Sequence, residues 1–132
     1  MYIKTWVGHL VPVDGYESCC EPRGGGWGSV HNLRFENVNV TGAARAAQIT
    51  QDNGNNGSYS GTSLMKVSDI VFDNVYGTVT STNVVSISCS TVNPCEGIYF
   101  NNIHATNSTG APLIASCKYT APGAVHGLSG CE

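Results

Sequence analysis

The sequence predicts an all-β chain wound as a right-handed parallel β-helix, with about four coils and little or no helix, forming a single unit over residues 1–132. Three observations lead there. One strand pattern recurs three times, a second apolar alternation follows each copy at a near-constant distance, and the composition is poor in charge. Only 11% of the residues are Asp, Glu, Lys or Arg, against roughly 25% in an ordinary globular domain. Their place is taken by 16 Gly, 12 Asn, 13 Ser and 11 Thr, residues of turns and strand surfaces, which argues against a helical bundle.

The repeated copies read His31-Asn32-Leu33-Arg34-Phe35-Glu36-Asn37-Val38, Ser68-Asp69-Ile70-Val71-Phe72-Asp73-Asn74-Val75 and Glu96-Gly97-Ile98-Tyr99-Phe100-Asn101-Asn102-Ile103. Each is aliphatic-x-Phe-polar-Asn-aliphatic, an alternation that turns its apolar side chains to one face of a strand. The second alternation comes 14 or 15 residues after each Phe: Ala47-Gln48-Ile49-Thr50, Val85-Ser86-Ile87-Ser88 and Leu113-Ile114-Ala115-Ser116. The phenylalanines lie 37 and then 28 residues apart. That spacing suits coils whose loops vary while their strands stack, each coil burying its inward side chains only against its neighbours.

Residues 42–47, Gly-Ala-Ala-Arg-Ala-Ala, have helical propensity. They fall where the other copies turn between strands, and one Ala-rich turn is too short to stand as a helix. Asn37, Asn74 and Asn102 occupy one position in successive copies. Asn tolerates left-handed backbone angles and bonds to nearby backbone, so a ladder that satisfies turn amides inside the solenoid is expected.

Other classes are disfavoured. No apolar run approaches the roughly 18–20 residues of a membrane span, and a net charge of −3 with six basic residues lacks the footprint of a nucleic-acid binder. Neither a membrane nor a nucleic acid is an expected partner. His9, His31, His104 and His126 have no metal-ligand spacing, and the cysteines form no zinc set, so no metal or cofactor is expected. The run from Arg23 to Gly28 lacks the Lys-Ser or Lys-Thr ending of a phosphate loop and is read as a loop beside a cleft. Met1-Tyr2-Ile3-Lys4 opens no secretory signal, yet six cysteines suit an oxidising compartment. The expectation is an extracellular protein whose natural beginning lies before residue 1. Sequons stand at Asn39, Asn56 and Asn107.

With the coils placed, the chain resembles the C-terminal third of fungal pectinases of glycoside hydrolase family 28, the polygalacturonase family. Tyr2-Ile3-Lys4-Thr5-Trp6 resembles the family's Arg-Ile-Lys-Thr strand, and Ile49-Thr50-Gln51-Asp52 its Ile-Gln-Gln-Asp segment. The Gly- and Asn-rich loop of residues 53–61 and the stretch 63–70 look most like exo-acting members. The resemblance implies disulfides Cys89–Cys95 and Cys117–Cys131, short closures expected to tie loops to the solenoid rather than to clamp its core. Cys19 and Cys20 are left unassigned.

The resemblance further implies pectin hydrolysis with inversion, using one carboxylic acid on the leaving oxygen and a carboxylate base across the sugar. The family's Asn-Thr-Asp, Asp-Asp and Gly-His-Gly motifs do not occur in this sequence, so no catalytic residue is assigned. The chain alone is expected to be inactive. Lys4 matches the family lysine that binds a galacturonate carboxylate, a task suited to a compact ammonium on a flexible stem. Tyr2 stands in place of the arginine. It exchanges a two-pronged carboxylate grip for an aromatic face, which would suit a less charged sugar unit such as a rhamnose-containing backbone. Asn53 stands where many members carry a substrate-contacting tyrosine. The expected partner is a pectic polysaccharide or oligosaccharide, with self-association through an uncapped N-terminal coil. The alternatives are a non-catalytic carbohydrate-binding or decoy protein and an inert structural solenoid.

Overall fold

The computed structural model describes residues 1–11, 24–55 and 57–131. Asp14, Cys19, Cys20, Arg23 and the Asn56 sequon therefore lie outside the described residues. Among those described there is no helix, and the strands are β1 (Tyr2–Trp6), β2 (Trp27–Asn39), β3 (Ala47–Asn53), β4 (Leu64–Val79), β5 (Asn83–Ser88), β6 (Glu96–Asn107), β7 (Ile114–Lys118) and β8 (Val125–His126). Odd strands form one four-stranded sheet in the order β1-β3-β5-β7, and even strands form another in the order β2-β4-β6-β8. Every pairing is parallel. The chain changes sheet at each successive strand and returns one position further along, which is the winding of a parallel β-helix.

Stacking in register fills the interior with like residues. Phe35, Phe72 and Phe100 are partners across β2, β4 and β6, and their rings stack with centroids 5.2 and 4.8 Å apart. Ile3, Ile49, Ile87 and Cys117 form the matching column of the first sheet. Phe72, Ile49 and Ile87 are all but inaccessible to water.

The long even strands bend at two fixed places. Asn37, Asn74 and Asn102 have φ of 55, 52 and 53°, and five residues earlier Asn32, Asp69 and Gly97 have φ of 56, 55 and 63°. Each left-handed residue inserts one extra position, so inward side chains skip from Phe72 to Val75 instead of alternating, and the strand turns a corner with its apolar face still inward. Asn and Asp bear this conformation better than other side chains. At Gly97 a Cβ would in addition stand 3.0 Å from Asp69 Oδ1.

The asparagine ladder exists, but on the outside. Asn74 Nδ2 donates to Asn37 Oδ1 at 2.6 Å, while Asn102 Nδ2 turns to Asp73 Oδ1 at 3.3 Å, and these bonds are exposed. The expected role inside the solenoid is corrected for a physical reason: at a left-handed corner the side chain projects away from the apolar column, so it bonds to its outer neighbours.

Both expected disulfides are present, deeper than expected. Cys89 and Cys95 are wholly buried, and with Cys131 they belong to the apolar core. Residues 42–47 form a turn leading into β3 rather than a helix. Asn39 is exposed, whereas Asn107 is buried, with its Oδ1 accepting from Thr109 N–H.

Candidate functional site: the outer face of the odd-stranded sheet

Alternation places Tyr2 and Lys4 outward on β1, with Ile3 and Thr5 inward. Parallel register then sets two outward rows across the sheet. One contains Tyr2, Gln48, Ser86 and Ser116, and the other Lys4, Thr50, Ser88 and Lys118. Tyr2 is 54% exposed. The Lys4 ammonium lies 5.2 Å from the centroid of the Trp6 ring, a cation–π arrangement that orients the cation without neutralising it.

Beyond Lys4 the register slips. Lys4 opposes Thr50, but Trp6 opposes Asn53, so β3 carries one extra residue, a bulge that re-aims the side chains beyond it. Gln51 turns fully inward and donates from Nε2 to Met65 O at 2.6 Å. Asp52 is left at the surface end of the strand as a hub. Its carboxylate accepts Gly61 N–H at 2.6 Å, Ser60 Oγ–H at 3.0 Å and Ser88 Oγ–H at 3.1 Å. Asn53 stands beside Trp6, with its Nδ2 buried and, like Thr5 Oγ1, without a hydrogen-bond partner.

The chain after β1 and the loop after β3 pack together around this corner. His9 stacks on Tyr59 with centroids 4.7 Å apart, and Gly8 N–H donates to Thr62 Oγ1 at 3.1 Å. A Cβ on Gly8 would stand 2.0 Å from Thr62 O, so only glycine permits this approach. The described part of the glycine-rich stretch runs along the same segment, with Gly25 N–H donating to Val7 O at 2.9 Å. Trp27 begins β2 on the other sheet and is 84% exposed.

The two sheets differ electrically. On the even-stranded sheet, Arg34 pairs with Glu36 and with Asp73, the latter at 2.7 Å, and Lys66 pairs with Glu96 at 2.6 Å. Hydrogen bonds to Glu36 and Glu96 are the leading cause of the raised pKa of Arg34 and of Lys66, respectively. Among the described residues, Lys4 and Lys118 have no carboxylate within ion-pair distance. The odd-stranded face thus presents cations that are available to an anionic ligand. Asp52 is the one carboxylate described there, and its oxygens are engaged in ordering the loop. On this face no second described carboxylate stands opposite Asp52, and a cluster able to hold a metal is not assembled among the described residues.

The family model for glycosyl hydrolases family 28 matches residues 21–128. The chain belongs to glycosyl hydrolases family 28. Within the family it is 53% identical over 135 residues to an Aspergillus niger protein that carries the name galacturan 1,4-alpha-galacturonidase C, and 54% identical over 134 residues to its namesake in Neosartorya fischeri. Each alignment covers 98% of this chain and 32% of the relative. An Aspergillus niger alpha-L-rhamnosidase, rgxB, is 34% identical over 109 residues, which is 78% of this chain and 24% of that protein. The chain spans about a third of the length of the two galacturonidase relatives. No solved structure matches it.

Three residues of this family 28 face escaped sequence reasoning. Asp52 was visible only as the end of the Ile49-Thr50-Gln51-Asp52 segment, because its partners Ser60, Gly61 and Ser88 come from a loop and the next coil. Lys118 was concealed by register. The third apolar alternation is set two residues later than the sequence pattern indicates, since Val85 opposes Ala115 and Ile87 opposes Cys117. Tyr59 shows its relation to His9 only once the loop is folded.

Proposed function

We propose that this chain is the C-terminal β-helix segment of an extracellular pectin-degrading hydrolase of the exo-acting kind, that it binds the acidic polysaccharide, and that it does not cleave it alone. The observation that carries this reading is the outward face with Lys4 oriented over Trp6 and with no carboxylate partner among the described residues. A galacturonate carboxylate would complete the ion pair there, with Tyr2 as an apolar platform beside it and Asn53 at the border. Family membership and the names of the 53–54% identical relatives support the substrate class. Hydrolysis with inversion requires two carboxyl groups about 6.5–9.5 Å apart, and Asp52 is the one carboxylate described on this face. The two disulfides support an oxidising compartment.

The test is titration of the purified chain with oligogalacturonates, monitored by calorimetry or NMR, alongside a reducing-sugar assay. Saturable binding lost in Lys4→Ala, without sugar release, is the expected result. Sugar release by the chain would overturn the assignment of chemistry elsewhere, and absence of binding would favour an inert solenoid. The exposed Tyr2 in the row beside Lys4 favours a second substrate reading, a backbone that alternates uronate and rhamnose; stronger binding of rhamnogalacturonan oligomers would select it. The outer edges of β1 and β2, which pair with no other described strand, are further proposed to self-associate, for which sedimentation showing only monomer is the contrary outcome.

A further inference from the structure

We propose that Lys118 is a second carboxylate-binding residue on the same face, reading a uronate several sugar units from the one held by Lys4, so that the face recognises oligomers by length. This rests on the pectin-binding reading above. Lys4 and Lys118 occupy one row at opposite edges of the sheet, separated by Thr50 and Ser88. Three strand intervals set their backbones roughly 14 Å apart, a distance that no single sugar ring bridges. The residues between them carry hydroxyls, which hydrogen-bond sugars and bring no charge.

The Lys118 side chain is placed for this task. It is exposed, donates to Ser60 Oγ at 3.2 Å and lies 4.5 Å from the centroid of the Tyr119 ring. Both partners are neutral, so the charge stays available, unlike that of Lys66 beside Glu96. Its support is rigid. Tyr119 holds a left-handed backbone at φ 58°, which a bulky side chain adopts only when its surroundings impose it. Cys89 N–H donates to Lys118 O at 2.9 Å, and Cys95 pairs with Thr120 in a parallel β-bridge, so the Cys89–Cys95 disulfide closes the loop that fixes the end of β7. Ser60 itself is held by Asp52, the carboxylate that orders the loop after β3.

The deciding experiment measures the affinity of the whole chain for a ladder of oligogalacturonates from the dimer to the hexamer, using wild type, Lys118→Gln, Lys118→Arg and Lys4→Ala. Wild-type affinity should rise in a step at the length that reaches Lys118. Lys118→Gln should remove the step, a loss of about five- to tenfold for the long oligomers, and leave the dimer unaffected. Lys118→Arg should retain the step, and Lys4→Ala should weaken every length. Equal affinities of Lys118→Gln and wild type across the ladder, with Lys4→Ala still impaired, would overturn this inference alone. Failure of wild type to bind any length would overturn the pectin-binding reading with it. Matching thermal melts of Lys118→Gln and wild type would separate loss of a ligand contact from loss of fold.

Discussion

Ser88 Oγ donates to Asp52 Oδ2 across the gap between two successive coils, at 3.1 Å. The same oxygen receives Ser60 Oγ–H, and its partner oxygen receives Gly61 N–H. One carboxylate therefore pins the loop after β3 to the strand of the next coil. Asp52→Ala removes an acceptor from three donors at once. The expected cost is about 1–3 kcal/mol, read as a lower urea midpoint and as earlier proteolytic cutting within residues 54–61. Unchanged loop protection would mean that the loop is held by its other contacts.

The phenylalanine stack predicts a graded response. Phe72 is fully buried between two rings, whereas Phe35 has a ring on one side and is only half-buried. Phe72→Ala should cost about 3–5 kcal/mol, and Phe35→Ala distinctly less. Denaturant unfolding of the two variants tests the order, and equal losses would contradict it.

The corner residues separate backbone strain from side-chain bonding. Asn74→Ala places an ordinary residue at φ 52° and should cost about 1–2 kcal/mol. Asn74→Gly relieves the angle and forfeits only an exposed bond to Asn37, so it should be the milder of the pair. Gly97→Ala should exceed both, because its new Cβ also crowds Asp69. Thermal melts of the three variants give the ranking directly.

The disulfides should differ in their response to mild reductant under native conditions. Cys117 is half-buried, while Cys89 and Cys95 are wholly enclosed. Alkylation and then peptide mapping should therefore show Cys117 and Cys131 labelled first. Replacing Cys117 and Cys131 by Ser should cost about 3 kcal/mol in the chain-entropy account, since they close a segment of 14 residues.

Much of this architecture was legible because the repeats obey the physics of stacking. Neighbouring coils that share one column favour like residues, so the three copies align from their shared aliphatic-x-Phe-polar-Asn-aliphatic pattern, and the low charge marks surfaces built of hydroxyls and amides. The third odd-sheet alternation was misplaced by two residues because Cys117 replaces the isoleucine of the earlier coils, and the disulfide there supplies the apolar volume that an aliphatic side chain supplies elsewhere. That slip assigned Ser116 to the row where Lys118 stands. Tyr2 and Lys4 fall on a strand, as their resemblance to the family's strand implied, and alternation turns both outward. Asp52 was undervalued, since its role depends on a bulge and on a loop closing over it, events that no local periodicity records.

The paired corners of the even strands have a consequence for how such a chain can change. Their separation is five residues in each of β2, β4 and β6, whereas the segments joining the sheets differ in length from coil to coil. Insertions and deletions are thereby channelled into the rims, leaving the axial repeat untouched. A lineage could remodel the loops beside the sheet many times over while each ammonium kept its place on the strand row, as graduations stay fixed on a scale whose housing is redesigned.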